Sequence, residues 1–463
     1  MNLINKKALV MGLGLYEKGS GISAVKFLLS KGANITVTDL KTRKDLQIQI
    51  NRLKKNKNFN KIKFVLGKHN DIDFSKADLI VKNPGVPKDS KYLKIARKNN
   101  TPVYNDITLF LQEFTGETIG VTGTRGKSTT VSLLNEIFKT NKKYKTYLGG
   151  NIKISPLQYL NKIKNSDLLL LEISSWQANG FKDVRYSPQI AVVLNIMNDH
   201  MNMYSKFSDY VLDKSYLYKY QSNDDYVVFN KNNSYTRKMA SSAKAQVFWV
   251  SLKNLVSGSG AFKKGNFLYF RQNNKIQKIC GVNEVGLLGE HNLYNVLAAI
   301  CVAKIKNISI ANIKKSIKSF KGIDSRLELI REYRGVKFYN DTTATTPDAC
   351  IAALNSFDQK VILIAGGMNK NLEYNQLAKN LNKNVKKLIL FPGSATDELL
   401  SSKDFTYLEV ADAENMQQAV DLAFRESKKG DIILLSPAAA SFNMFKNEFD
   451  RGEQFVKAVK KLS

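Results

Sequence analysis

Thr118-Ile119-Gly120-Val121-Thr122-Gly123-Thr124-Arg125-Gly126-Lys127-Ser128-Thr129-Thr130 is the stretch that settles the architecture of this chain. Thr118 to Val121 read as a buried strand, and Leu133, Leu134 and Ile137 continue as one face of a helix. Between them, the glycines let successive backbone N–H groups close around phosphate oxygens, and the helix N-terminus adds positive potential. Lys127 is placed to neutralise the outer phosphates of a nucleoside triphosphate, and the hydroxyl of Ser128 or Thr129 to hold magnesium. The common P-loop carries a glycine five places before the last one, and here that position is Val121. The loop is therefore the shorter Gly-Thr-x-Gly-Lys-Ser-Thr form.

The same strand–turn–helix grammar extends toward the N-terminus. Ala8-Leu9-Val10-Met11 reads as a strand ending in a glycine-rich turn with Gly12, Gly14, Gly19 and Gly21. A helix through Ile22, Val25 and Leu28 follows, then a strand from Asn34 to Asp39, whose terminal acid is placed to reach a ribose hydroxyl. The third glycine arrives late, at Gly19, so the spacing is not the dinucleotide fingerprint. A further strand, Asp78 to Val81, ends in Lys82-Asn83-Pro84-Gly85-Val86-Pro87, a turn at a strand's carboxyl end where ligands bind in such sheets.

Toward the C-terminus, Leu168 to Ile173 and Ile190 to Leu194 are continuous apolar runs of a parallel sheet covered on both faces. Residues 251–284, with Gly258, Gly260 and Gly265, read as an antiparallel insertion or sheet edge, and a helix from Asn292 to Ala303 follows. Strands are expected at Val336 to Tyr339, Val361 to Ala365, Lys387 to Phe391 and Asp431 to Leu435. The expectation is an α/β chain in three segments, 1–107, 108–322 and 323–463, the outer two Rossmann-like and the middle one P-loop ATPase-like.

At 463 residues the chain has room for about three domains. Its 71 basic residues against 40 acidic ones give a formal charge of +31, which invites a nucleic-acid reading. Only 12 of the 71 are Arg, and the lysines are scattered, with neither clusters nor aromatic interleaving. A solvated basic surface, or attraction to an anionic substrate, explains the charge better; no nucleic-acid partner is expected. Cys280, Cys301 and Cys350 are isolated and read as reduced thiols in a cytoplasmic protein. Neither a leader peptide nor a membrane segment is expected, and the chain reads as a monomer.

Several residues can carry chemistry. Glu172 ends the run Leu168-Leu169-Leu170-Leu171, downstream of the phosphate loop, and suits coordination of nucleotide-bound magnesium. His200, one of three histidines, follows a central strand and reads as a metal ligand, a general base or a structural histidine. Lys214, in a helix with Tyr210 and Leu217, reads on its own as one more solvated lysine. Asn292 and Asn295 open a helix on one face; capping explains one amide, and two suit a purine or a metal-bound water. Arg326 offers a fork for phosphate and Asp341 a carboxylate for a ribose. A nicotinamide oxidoreductase would leave the phosphate loop unexplained, and a nucleic-acid-dependent ATPase would lack clustered basic residues.

Taken in order, these pieces resemble the Mur ligases, the ATP-dependent amino-acid ligases of peptidoglycan precursor synthesis, and among them the branch that adds glutamate. The resemblance spans the chain: the loop from Gly123 to Thr129, Gly149-Gly150-Asn151-Ile152, Leu171-Glu172-Ile173-Ser174-Ser175-Trp176-Gln177, Asn198-Asp199-His200-Met201, Gly289 to Ala299, and Ser325-Arg326-Leu327-Glu328. Its most specific part is Leu435-Ser436-Pro437-Ala438-Ala439-Ala440-Ser441-Phe442 with Phe445-Lys446-Asn447 and Arg451-Gly452. The folate polyglutamate enzymes carry Gly-Lys-Gly-Ser, whereas Lys127 precedes Ser128; the Asp-Asn-Pro-Arg of the diaminopimelate-adding enzymes is absent.

The resemblance implies that ATP phosphorylates the carboxylate of UDP-N-acetylmuramoyl-L-alanine and that D-glutamate then attacks the acyl phosphate. It implies catalytic roles for Lys127, Glu172, His200 and Lys214. Two magnesium ions would be held by Ser128, Glu172, His200 and a carbamylated Lys214. ATP would meet Gly123, Thr124, Arg125, Gly126, Lys127, Ser128, Thr129, Asn292, Asn295, Arg326 and Asp341. The uridine diphosphate substrate would meet Gly12, Gly14, Asp39, Asn83, Pro84, Gly85 and Asn151; glutamate would meet Thr345, Lys370 and Ser441. There are departures. Arg125 stands where the family has Asn, Thr343 where it has a Lys near the amino-acid carboxylate, and Glu448 where it has a Phe. The last two open the alternative of L-glutamate or another amino acid.

Overall fold

Continuous apolar runs form the central strands because parallel sheets are covered on both faces and leave no strand residue to water. Leu168–Glu172 and Val361–Gly366 are buried along their whole lengths. The computed structural model describes residues 1–141, 143–197, 204, 206–406 and 409–463. Packing divides them into two compact units, one of residues 1–282 and 294–317, the other of residues 283–293 and 318–463.

The first unit holds two sheets. Strands β1 (Lys7–Met11), β2 (Asn34–Asp39), β3 (Ile62–Leu66), β4 (Leu79–Lys82) and β5 (Val103–Tyr104) pair in the order β3-β2-β1-β4-β5, all parallel. The order reverses between β1 and β4, so the turns that follow them, at Gly12 and Asn83, flank a switch-point crevice.

The second sheet comprises β6 (Glu117–Thr122), β7 (Thr146–Gly150), β8 (Leu168–Glu172), β9 (Ile190–Val193), β10 (Tyr226–Asn230), β11 (Gln246–Ser251), β12 (Ser259–Lys264), β13 (Phe267–Gln272) and β14 (Lys275–Gly281). Its order is β14-β13-β12-β11-β10-β9-β6-β8-β7, with antiparallel pairing confined to β12–β13–β14 at one edge. That edge is the insertion read at 251–284. Strand β6 lies between β8 and β9, so the phosphate loop, Glu172 and the segment after Val193 emerge side by side.

In the second unit, β15 (Glu328–Tyr333), β16 (Val336–Asn340), β17 (Val361–Gly366), β18 (Val385–Phe391), β19 (Glu409–Asp412) and β20 (Ile432–Leu435) pair as β15-β16-β20-β17-β18-β19. Only β15 runs antiparallel. The buried guanidinium of Arg451 donates to the Thr342 carbonyl (2.8 Å) and hydroxyl (3.0 Å) and to the Ala439 carbonyl (3.1 Å). It ties the final helix, Glu448–Lys461, to the loops after β16 and β20.

Candidate active site

The phosphate loop follows β6 and feeds the helix Lys127–Lys139. Gly126 sits at φ +87°, a left-handed backbone that favours glycine, and a Cβ there would overlap the Asn295 side chain. Thr130 Oγ1 donates to the Gly126 carbonyl at 2.9 Å. Asn195, just past β9, braces the loop from the neighbouring strand end. Its Oδ1 accepts the Arg125 N–H at 2.8 Å and its Nδ2 donates to the Arg125 carbonyl at 3.1 Å. Neither Asn195 nor Tyr210, whose hydroxyl lies 2.9 Å from Thr124 Oγ1, has a role assigned from the sequence. The one signal for Asn195 was its place at the end of a central strand. The Lys127 ammonium donates to the Gly123 (2.9 Å) and Thr124 (3.1 Å) carbonyls, at the base of the loop.

Glu172 ends β8 with its side chain only 2% exposed, which excludes a surface acid. Asn151 donates its side-chain amide to Glu172 Oε1 at 2.8 Å, while Oε2 is buried without a hydrogen-bond partner among the described residues. A buried carboxylate oxygen with open lone pairs suits a hard divalent cation. Asn151, expected beside the uridine diphosphate, thus stands against Glu172. Lys214 is corrected from a solvated lysine to a buried one, also 2% exposed. It lies one helical turn after buried Tyr210 in the helix Phe207–Ser215, and so on that helix's inward face. Its ammonium donates to the Gly123 carbonyl at 3.0 Å and lies 4.7 Å from the Tyr210 ring centroid. Glu172, Lys127, Ser128 and Lys214 are thus gathered around one loop. His200 lies outside the described residues, and among those described no cluster of three His, Cys, Asp or Glu forms a metal site.

The N-terminal turns converge at the switch point. Asp39 accepts N–H groups from Leu13 and Lys41, both at 2.9 Å, so the end of β2 holds the glycine turn. Gly12, at φ +88°, leaves room for Asn83, whose Cβ would lie 2.9 Å from a Cβ added there. Asn83 Oδ1 accepts the Gly85 N–H at 3.2 Å, which shapes the Asn83-Pro84-Gly85 turn, and Gly14 approaches the Asn83 amide.

In the second unit, Asp341 follows β16 and accepts the Ser436 hydroxyl at 2.9 Å and the Leu327 N–H at 3.3 Å. Arg326 is exposed between Ser325 and Leu327, both at positive φ. The Lys370 ammonium donates to Thr345 Oγ1 at 2.9 Å, and Ser441 keeps a buried hydroxyl without a hydrogen-bond partner among the described residues. Paired hydrogen bonds between Met368 and Ala440 bring the Lys370 and Ser441 loops together. Thr343 spends its hydroxyl on the Ser325 carbonyl at 3.0 Å. Asn292 donates its amide to the Leu288 carbonyl at 2.7 Å, a local bond at the start of its helix.

Comparison with known proteins gives this arrangement a lineage. Residues 6–105 match the Mur ligase MurD-like N-terminal domain, 121–303 the Mur ligase middle domain, and 325–439 the Mur ligase glutamate ligase domain. Proteins named UDP-N-acetylmuramoylalanine--D-glutamate ligase from Roseiflexus sp. (strain RS-1) and Borreliella afzelii (strain PKo) are 37% and 39% identical. The first match covers 100% of both chains, the second 99% of this chain and 98% of the relative. Among solved structures, UDP-N-acetylmuramate-alanine ligase MurC from Thermotoga maritima shares the fold at a TM-score of 0.62 and 18% identity, covering 98% of this chain and 99% of that one. The MurF ligase of the same organism, solved in complex with ADP, does so at 0.56 and 18%, covering 99% and 96%. With all three domain types in order and relatives aligned end to end, this chain belongs to the Mur ligase family.

Proposed function

We propose that this chain joins D-glutamate to UDP-N-acetylmuramoyl-L-alanine at the expense of ATP, in peptidoglycan precursor synthesis. The observation that carries the reading is end-to-end similarity, at 34–39% identity, to relatives named for that reaction. In this reading the N-terminal turns at Gly12, Gly14, Asp39 and Asn83–Gly85 hold the uridine diphosphate. Lys127 leaves the loop carbonyls for the outer phosphates of ATP, which offer a charge-assisted partner in their place. Asn292, Asn295, Arg326 and Asp341 hold the nucleotide; Thr345, Lys370 and Ser441 hold the glutamate.

Glu172 and Ser128 would hold magnesium with His200 and a carbamylated Lys214; Asn151 fixes the Glu172 carboxylate through Oε1, which would leave Oε2 available to the metal. Magnesium, when bound, screens the triphosphate and polarises the transferring phosphoryl group. A substrate carboxylate oxygen attacks the γ-phosphorus and ADP departs. The glutamate amine then attacks the acyl carbon, the amide forms, and phosphate departs carrying that oxygen. The division at 1–107, 108–322 and 323–463 belongs to the same proposal, supported by the three sheets. So does a reducing, cytoplasmic setting: the three cysteines are buried and form no disulfide among the described residues, and no helix among those residues is long and apolar enough to cross a membrane. We further propose that the chain acts as a monomer.

The oxygen path tests the mechanism. With the substrate's alanyl carboxylate labelled with oxygen-18, we expect one label in each inorganic phosphate released. Unlabelled phosphate formed alongside amide product would refute the acyl phosphate.

A further inference from the structure

Within the first unit, a cavity of about 140 Å³, partly open to solvent, lies between the turn after β4 and the helices Ser175–Asn179 and Phe207–Ser215. Three buried polar groups face it, and none is fully satisfied among the described residues. Lys82 is 6% exposed, yet its ammonium makes no hydrogen bond and no ion pair among the described residues. Burial holds it down to about 8, with the nearby charges of Asp183 and Asp213 pulling it up and those of Arg97 and Lys182 pushing it down. Asp213 is 2% exposed; its Oδ1 accepts the Asn179 amide at 2.6 Å, while Oδ2 has no close hydrogen-bond donor among the described residues and a loose ion pair, 3.6 Å, with Lys88. The buried Tyr204 hydroxyl lies near Ser175 and Asp213 without a close hydrogen bond among the described residues. Trp176 and Pro84 supply apolar wall.

Buried charges persist when paired, and this cation and this anion do not pair with each other. A simple anion that answered Lys82 would meet Asp213 and the rim acids Asp89 and Asp209. A simple cation that answered Asp213 would meet Lys82. One small molecule carrying both charges answers both.

We propose that this cavity binds a free amino-acid zwitterion, its carboxylate on the Lys82 ammonium and its ammonium on Asp213 Oδ2, with Trp176 alongside. None of its lining residues is among Thr345, Lys370 and Ser441, to which the glutamate was assigned, and the proposal does not rest on the ligase reading.

Trp176 is one of two tryptophans, so Trp249→Phe in the full chain leaves it as the sole indole reporter. Glycine and L-alanine are expected to give saturable changes in its fluorescence. Acetate and methylammonium, the two halves of glycine, should bind at least tenfold more weakly. Lys82→Met and Asp213→Asn should each raise the glycine midpoint at least tenfold in protein that melts cooperatively, and Lys370→Ala should leave it unchanged. The proposal falls if no zwitterion gives a saturable change, if either half binds as well as glycine, or if both cavity variants keep the original midpoint. Should Asp213→Asn fail to fold, the half-molecule comparison and Lys82→Met decide.

Discussion

Lys214 and Lys82 show how far single residues could be read. Both are lysines among 59, and composition assigns a lysine to the surface. Lys214 betrays itself only by phase: it follows Tyr210 by four places and precedes Leu217 by three, inside an apolar stripe. Lys82 carries no such mark, because a lysine at a strand's end is ordinary until the cavity beside it is seen. Its burial has a measurable cost. The ammonium titrates near 8 in the folded chain against an ordinary 10.5, so between those values the unfolded chain binds more protons and stability rises with pH. Below about 8 the penalty is fully present; above about 10.5 it is gone. Lys82→Met should therefore raise stability at pH 7 by up to about 3 kcal/mol and flatten the rise between pH 8 and 10.5. Denaturant titrations across that range check it, and an unchanged slope would mean that Lys82 is not the group responsible.

Elements were more legible than their neighbours in space. The strand Asn34–Asp39 was read to the residue, and Val361 to Ala365 to within one, because buried parallel strands announce themselves as unbroken apolar runs. The placing of β6 between β8 and β9 was not readable, since pairing across crossovers leaves no trace in local pattern. That placing is what sets Glu172 and Asn195 beside the phosphate loop. At the loop itself, Gly126→Ala would force a side chain into a left-handed backbone and against Asn295. We expect about 1–3 kcal/mol of destabilisation and loss of nucleotide binding, checked by thermal unfolding and ADP titration. The Arg451-Gly452 pair stood out in the sequence only through a resemblance, whereas the structure supplies its reason. Arg451→Met would strip donors from the Thr342 and Ala439 carbonyls and cost about 3 kcal/mol of stability in urea titration.

At the scale of the molecule, the α/β class and the order of three sheets followed from periodicity alone, and the ligase chemistry from motifs spread over the whole length. What periodicity could not supply was the company each residue keeps. Asn151, expected beside the uridine diphosphate, also holds the Glu172 carboxylate, while Thr343, in place of a family lysine, is engaged with the Ser325 carbonyl. A net charge of +31 is in keeping with the anionic substrates proposed above. The central claim, that the chain forms an amide between D-glutamate and UDP-N-acetylmuramoyl-L-alanine, is tested most directly by product mass with each enantiomer in turn, in the presence of ATP and magnesium. The account predicts amide product, ADP and phosphate in equal amounts with D-glutamate and at least a hundredfold less with L-glutamate; product from L-glutamate alone, or from neither, would contradict it.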